Sequence, residues 1–185
     1  IMLRFIMKAL IITWENFQDQ EVVYPYYRLR EETMEENVVI MANVVGRFHG
    51  IMGVNMESHA LLKEFDDNSK YNTYLNEFDL LVLPGGVKSL EKLRQEKKVI
   101  KFISDWNQKN KIIASTCHGA QLLISAKATK GKKISAYYSI EDDVNNSGAT
   151  YINEPVVIDQ NIVSSPHYNW MGEWMKAAIT KVKNS

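Results

Sequence analysis

Four short segments of the sequence are apolar at every position. They are residues 9–12, 38–41, 80–83 and 112–114, and all are rich in Ile, Val and Leu. A strand with one face in water alternates apolar and polar residues, whereas a strand covered on both faces is apolar throughout. The four segments therefore predict a mostly parallel sheet with helices on both sides.

Segments between and after these strands have helical spacing. Residues 19–36 carry an apolar face with Asp19 as the predicted cap, residues 99–107 repeat the pattern, and residues 170–182 show Trp and Met stripes typical of a core-facing helix. Strands alternating with helices indicate an α/β three-layer sandwich. Residues 43–57 predict a hairpin, and residues 131–163 predict a second mixed region that ends in the strand pair 155–158 and 161–164.

Length and charge limit the possible classes of protein. A chain of 185 residues predicts one domain, which we place at residues 7–185, with residues 1–6 as a remnant or leader before Met7. Basic and acidic residues number 22 each, so no net charge attracts the chain to nucleic acid or to a membrane. The single cysteine, Cys117, excludes an intramolecular disulfide and favours a cytoplasmic location.

Cys117 lies where chemistry is expected in such a fold. Ligands of open parallel sheets bind beyond the carboxyl ends of the strands, and Cys117 follows residues 112–116 and precedes a helical segment. Its neighbours Ser115, Gly119 and Ala120 are small, as a sharp nucleophile turn requires. A helix N-terminus lowers a thiol pKa, so the position predicts a reactive thiolate. The alternative is a buried cysteine that acts as a small hydrophobic residue.

A second turn predicts hydrogen-bond donors for the same point. Gly85 and Gly86 follow the strand 80–83, and their backbone can approach Cys117 closely. Together with the N–H of His118, these glycines predict an oxyanion hole.

Three motifs carry a resemblance to a known family. Residues 17–26, 83–86 and 114–123, in this order and spacing, resemble the ThiJ/PfpI family of the class I glutamine-amidotransferase-like superfamily. The resemblance implies a flavodoxin-like three-layer sandwich with a mostly parallel sheet, a reactive elbow cysteine, and neither a metal nor an organic cofactor.

The resemblance also implies roles for individual residues. Cys117 matches the nucleophile, and Glu21 matches the carboxylic acid that hydrogen-bonds its sulfur. His118 matches the histidine after the nucleophile, although side chains at adjacent positions diverge and the two need not touch. Glu91 matches a glutamate that a neighbouring subunit supplies, and Tyr137 matches a tyrosine that borders the pocket.

Two positions depart from the family pattern. Gln18 stands where the family often has a second glutamate, which removes one charge near the sulfur. The segment after Ser165 contains His167, which ends a predicted strand and is either a proton carrier, a substrate ligand or a surface histidine.

Three functions remain open from the sequence. The first is a cysteine-dependent hydrolase or lyase that acts on an electrophilic carbonyl of a peptide, a dicarbonyl or a glycation adduct. The second is a redox-sensing or stress-protective protein in which Cys117 is oxidised, and the third is a small-molecule binding module with an inert thiol. The resemblance and the apolar excess of residues 43–57 and of Tyr24, Tyr26 and Tyr27 predict a homo-oligomer.

Overall fold

A central sheet of seven strands organises the computed structural model, which describes residues 6–185. The prediction for residues 1–6 therefore lies, apart from Ile6, outside the described residues. The strands are β1 (Ala9–Ile12), β2 (Val38–Ala42), β3 (Gly46–His49), β4 (Asn55–Ser58), β5 (Ala60–Leu61), β6 (Leu80–Leu83), β7 (Ile112–Thr116), β8 (Lys133–Ile134), β9 (Thr150–Tyr151), β10 (Val157–Asp159) and β11 (Ile162–Ser165). The α-helices are α1 (Asp19–Glu32), α2 (Asn68–Glu77), α3 (Val87–Leu93), α4 (Lys97–Gln108), α5 (Ala120–Ser125), α6 (Glu141–Asn146) and α7 (Met171–Lys183).

The strand order of the main sheet is β10-β11-β7-β6-β1-β2-β5. Every pair is parallel except the edge pair β10–β11, which is antiparallel. Two smaller pairs lie outside the sheet: the antiparallel hairpin β3–β4 and the short parallel pair β8–β9. The predicted flavodoxin-like sandwich with a mostly parallel sheet is thus confirmed.

Helices cover both faces of the sheet. Leu10 and Ile12 of β1 belong to the core shared with Phe102 of α4, whereas Ala9 and Ile11 belong to the core shared with α1 and α7. All four residues of β1 are fully buried. Burial on both faces explains why the strand is apolar at every position.

Several predicted details differ in the structure. Helix α1 ends at Glu32, and Asp19 is its first residue and not its cap; its carboxylate accepts the backbone N–H groups of Met52 and Val54, each at 2.8 Å. Tyr26 is buried in the core, so it does not contribute to an exposed patch. Trp170 precedes α7 and is 37% exposed, whereas Trp174 and the other members of the predicted stripe are buried.

The turn after β7 tolerates no side chain at Gly119. A Cβ atom there would collide with the backbone carbonyl oxygen of Leu83 in β6. We predict that Gly119→Ala lowers the free energy of unfolding by about 1–3 kcal/mol or more, as overpacking against rigid backbone does. Gly172→Ala in α7 is the matched control, since its Cβ would meet nothing closer than 3.7 Å and alanine favours a helix. Urea denaturation of both variants tests this, and equal stabilities would contradict it.

Candidate active site

Cys117 occupies a strained turn at the carboxyl end of β7. Its φ angle is +55°, in the left-handed region that residues other than glycine rarely adopt. The chain continues through a 3₁₀ turn, Cys117–Gly119, into the six-residue helix α5. Strain of this kind is typical of a nucleophile elbow, and it persists because the surrounding structure holds it.

Gly85 lets the carboxyl group of Glu21 reach this turn. The Gly85 N–H donates to Glu21 Oε1 at 2.8 Å. A Cβ atom on Gly85 would lie 2.5 Å from that oxygen and 2.8 Å from the Cys117 Cβ. Only glycine therefore fits between the acid on α1 and the thiol in the turn after β7.

Glu21 is fully buried, and burial is the main reason that its pKa is raised to about 8. The hydrogen bond from Gly85 and the interaction with Cys117 oppose this rise without cancelling it. At pH 7 the acid consequently favours its protonated form. Oε1 accepts the Gly85 N–H, and Oε2 has no hydrogen-bond partner among the described residues, so Oε2 is the oxygen that is free to carry the proton.

The thiol of Cys117 is also buried, and only 7% of the residue is exposed. Burial, with a further contribution from the Glu21 carboxylate, raises the pKa of the Cys117 thiol, whereas the backbone N–H groups of His118 and Gly86 lower it. The prediction of a free thiolate at neutral pH is therefore wrong. It relied on a helix N-terminus, but α5 is short and the desolvation of the sulfur is larger.

The imidazole of His118 lies beside the Cys117 thiol. Its Nδ1 lies 3.3 Å from the Cys117 sulfur, so the expectation that the adjacent side chains diverge is wrong. The positive φ of Cys117 turns both side chains to the same side. Burial lowers the pKa of His118, which keeps the imidazole neutral and able to accept a proton.

Ser139 is a site residue that the sequence did not reveal. Its Oγ lies 3.4 Å from His118 Nε2. A proton on Nε2 that points to this hydroxyl leaves Nδ1 free as an acceptor facing the sulfur. Ser139 is 21 positions from His118 in the chain and belongs to no motif, so no sequence signal could have found it.

The predicted oxyanion donors divide into two roles. The N–H groups of Gly86 and His118 lie at the sulfur, where they lower the thiol pKa. The N–H of Gly85 is already bonded to Glu21, which leaves Gly86 and His118 as the two donors for an oxyanion.

Tyr137 and His167 continue the site away from the sulfur. Tyr137 donates its backbone N–H to the Cys117 carbonyl oxygen at 3.2 Å, and its ring centroid is 4.9 Å from that of His118. The His167 ring stacks at 6.1 Å from Tyr137, and its Nδ1 accepts the N–H of Asn169 at 3.2 Å. Burial lowers the pKa of His167, so it too favours the neutral form.

The described part of the chain contains no group of three His, Cys, Asp or Glu side chains placed to hold a metal ion. Within the same residues, no helix is long and apolar enough to cross a membrane.

Comparison with known proteins identifies the family. A sequence profile of the DJ-1/PfpI family matches residues 7–181. The chain belongs to the DJ-1/PfpI family. It is 38% identical over 174 residues to a deglycase of Thermococcus kodakarensis and 37% identical to deglycase PfpI of Pyrococcus furiosus; each match covers 92% of this chain and 98% of the relative. The fold is similar to that of Schizosaccharomyces pombe DJ-1, with a TM-score of 0.79 and 18% identity over 95% of this chain and 92% of that chain.

The side chains of Glu91 and Gln18, the two other positions matched to the family pattern, form no hydrogen bond with the Cys117 sulfur. Glu91 is exposed on α3, and within one chain its carbonyl oxygen accepts a hydrogen bond from Gln95. Its assignment to a neighbouring subunit's site stays a prediction. Gln18 donates from its side chain to Gln20 at 2.8 Å and to the sulfur of Met52 at 3.5 Å, which places its amide on the hairpin side of the site.

The proton on Glu21 gives a testable difference between two variants. Glu21→Leu removes the donor to the sulfur, so alkylation of Cys117 by iodoacetamide at pH 7 should slow by about tenfold or more, since a hydrogen bond to a charged group contributes roughly 1.5–3 kcal/mol. Glu21→Gln keeps an oxygen for Gly85 and an N–H for the sulfur, and it should stay near the wild-type rate. A faster reaction in Glu21→Leu would mean that the acid is ionised at pH 7.

Proposed function

We propose that this chain is a cysteine-dependent deglycase or hydrolase that acts on electrophilic carbonyl compounds. The observation that carries the proposal is the group of three side chains at the elbow: a thiol at a strained turn, a neutral histidine 3.3 Å from it, and a protonated acid beside it. The names of the relatives, which are called deglycases, support the carbonyl substrate class.

The first step follows from this arrangement. The Cys117 sulfur attacks the carbonyl carbon and forms a C–S bond, while the thiol proton passes to His118 Nδ1. The carbonyl π electrons move to the oxygen, which accepts the N–H groups of Gly86 and His118. The proton held by His118 then goes to the leaving nitrogen or sulfur of an adduct or peptide, or to the oxygen of an aldehyde adduct.

One observation favours the redox alternative. The buried Oε2 of Glu21 has no nitrogen or oxygen partner among the described residues, and a proton on it could donate to an oxygen added to the sulfur. Once His118 has taken the thiol proton, peroxide would oxidise Cys117 to a sulfenic and then a sulfinic acid, with peroxide reduced to water at each step. In that case Cys117 would react with peroxide and the chain would show no turnover of carbonyl substrates.

A small set of variants tests the proposed activity. Wild-type protein should turn over methylglyoxal, its adduct with N-acetylcysteine, or a peptide, and Cys117→Ala should abolish the reaction. His118→Gln should lower kcat by about 10²–10⁴-fold, the range for general acid–base catalysis. His49→Ala is the matched control, because His49 is an exposed histidine of the hairpin.

Two other outcomes would decide against the proposal. Turnover that survives in Cys117→Ala would exclude cysteine chemistry. No turnover of any substrate, together with oxidation of Cys117 by peroxide, would favour the redox alternative.

We also propose that the chain acts as a homo-oligomer that completes the site with Glu91 of a partner copy. The loop between β3 and β4 supports an interface, because Ile51, Met52 and Val54 are between 43% and 67% exposed there. Asp19 holds this loop against α1 through its two hydrogen bonds. Exposed apolar side chains of this number are typical of a surface that a second molecule covers.

Light scattering and one variant pair test this proposal. The mass in solution should be a multiple of 21.3 kDa at micromolar concentration. Glu91→Ala should lower turnover, whereas Glu96→Ala, an exposed glutamate just beyond α3, should not. A monomer would exclude a shared site, and an oligomer with unchanged turnover in Glu91→Ala would remove Glu91 from the site.

A further inference from the structure

A cavity of about 340 Å³ lies next to the elbow and is lined by aromatic rings. Its walls are Tyr137, Tyr138, Asn153, Pro166, His167 and Trp170. The cavity follows β11, and the last residue of that strand, Ser165, pairs with Thr116, the residue before Cys117. The cavity and the sulfur therefore open at the ends of two adjacent strands.

A continuous series of ring contacts joins this cavity to the catalytic base. The His118 ring lies 4.9 Å from Tyr137, and Tyr137 lies 6.1 Å from His167. His118 is itself 3.3 Å from the sulfur through Nδ1. A carbonyl compound bound over Cys117 can therefore extend its substituent toward Tyr137 and His167, where the substituent meets ring faces.

The chemistry of the lining limits what that substituent is. None of its six residues is Asp, Glu, Lys or Arg, so nothing there compensates a phosphate, a carboxylate or an ammonium group. Tyr138 is 68% exposed and Trp170 is 37% exposed, so both rings have apolar surface for a ligand to cover. Asn153 adds an amide that can both donate and accept a hydrogen bond.

A second groove nearby has a different character. It lies beside α1 and is lined by Tyr24 and Tyr27 together with the charged Arg28 and Glu31. Tyr168 lines that groove, and its ring centroid lies 3.8 Å from that of His167, which lines the cavity. The Tyr168 ring therefore lies between the groove and the cavity. The cavity beside Tyr137 is thus the uncharged one of the two.

We infer that this cavity is a specificity subsite that holds an uncharged aromatic ring attached to the reacting carbonyl. The inference rests on the proposed attack of Cys117 on a carbonyl compound and names the substrates preferred within that class. Tyr138 and Trp170 are the specificity-determining residues, because offset or edge contacts with flat rings favour an aryl group over a methyl group.

Two chloroketones test the subsite without requiring turnover. Phenacyl chloride and chloroacetone both alkylate a thiol at the CH₂Cl carbon with loss of chloride, and they differ in bearing a phenyl or a methyl group. Alkylation rates of Cys117, each divided by the rate with N-acetylcysteine, should favour phenacyl chloride by about tenfold or more in wild-type protein. The same preference should appear in kcat/KM for phenylglyoxal against methylglyoxal.

Variants test whether the preference for phenacyl chloride over chloroacetone arises at Tyr138 and Trp170. Tyr138→Leu with Trp170→Leu should reduce the phenyl-to-methyl ratio of alkylation rates about tenfold. Tyr27→Leu, an exposed tyrosine of the charged groove, should leave the ratio unchanged. Both replaced rings are partly exposed, and thermal melting checks that the double variant is folded. Should it be unfolded, the single variant Tyr138→Leu, at the more exposed ring, gives the same comparison.

The outcomes separate this inference from the proposed function. Equal normalised rates for the two chloroketones, or a ratio that the double variant leaves unchanged, would overturn the subsite and leave the carbonyl chemistry of Cys117 intact. Failure of both reagents to label Cys117, with no turnover of either glyoxal, would overturn the proposed function and the subsite together.

Discussion

The hydrogen bond from the Gly85 N–H to Glu21 Oε1 connects the parts of the candidate site. It joins the first turn of α1 to the loop after β6, and Cys117 lies on the other side of the same glycine. This contact fixes one oxygen of the acid, and the other oxygen has no hydrogen-bond partner among the described residues. The position of the acid and the space beside the thiol depend on this contact, whereas the protonation of the acid comes from its burial.

Burial of that acid affects the whole protein as well as the site. The pKa of Glu21 is raised from an ordinary value of 4.5 to about 8, so between these values the folded chain holds a proton that the unfolded chain has released. Its contribution to the free energy of unfolding therefore falls as the pH rises through this window. The cost comes from burying the ionised carboxylate, and the hydrogen bond from Gly85 offsets part of it.

The apolar runs predicted the architecture well, because a strand that is buried on both faces is apolar at every position and is easily recognised in the sequence. Strands β1 and β6 and the parallel order around them follow from residues 9–12 and 80–83, and the strand-end rule directs attention to Cys117. The contact of His118 with the sulfur was not predictable in this way, because it depends on a left-handed φ at the preceding residue. The thiol pKa depends on burial by segments distant in the chain, and Ser139 reaches His118 only through the fold.

Asp19 shows a further limit of sequence interpretation. An acid at the start of a predicted helix has the pattern of a cap, yet its carboxylate bonds to the hairpin loop. Local sequence cannot distinguish the two roles because both use a carboxylate to accept backbone N–H groups. Gly50 allows the Asp19 carboxylate to reach the hairpin loop, because a Cβ atom at this position would overlap that carboxylate.

The two N–H groups proposed as oxyanion donors belong to the backbone, and this affects which mutations can remove them. An ordinary side-chain replacement at His118 removes the imidazole and keeps the N–H, while Gly86 has no side chain to lose and a φ of +107° that resists gaining one. Most single mutations at these two positions therefore leave the hydrogen bonds that the N–H groups would donate to an oxyanion unchanged. A side-chain change in the loops that carry the aromatic rings therefore leaves these two backbone N–H groups in place.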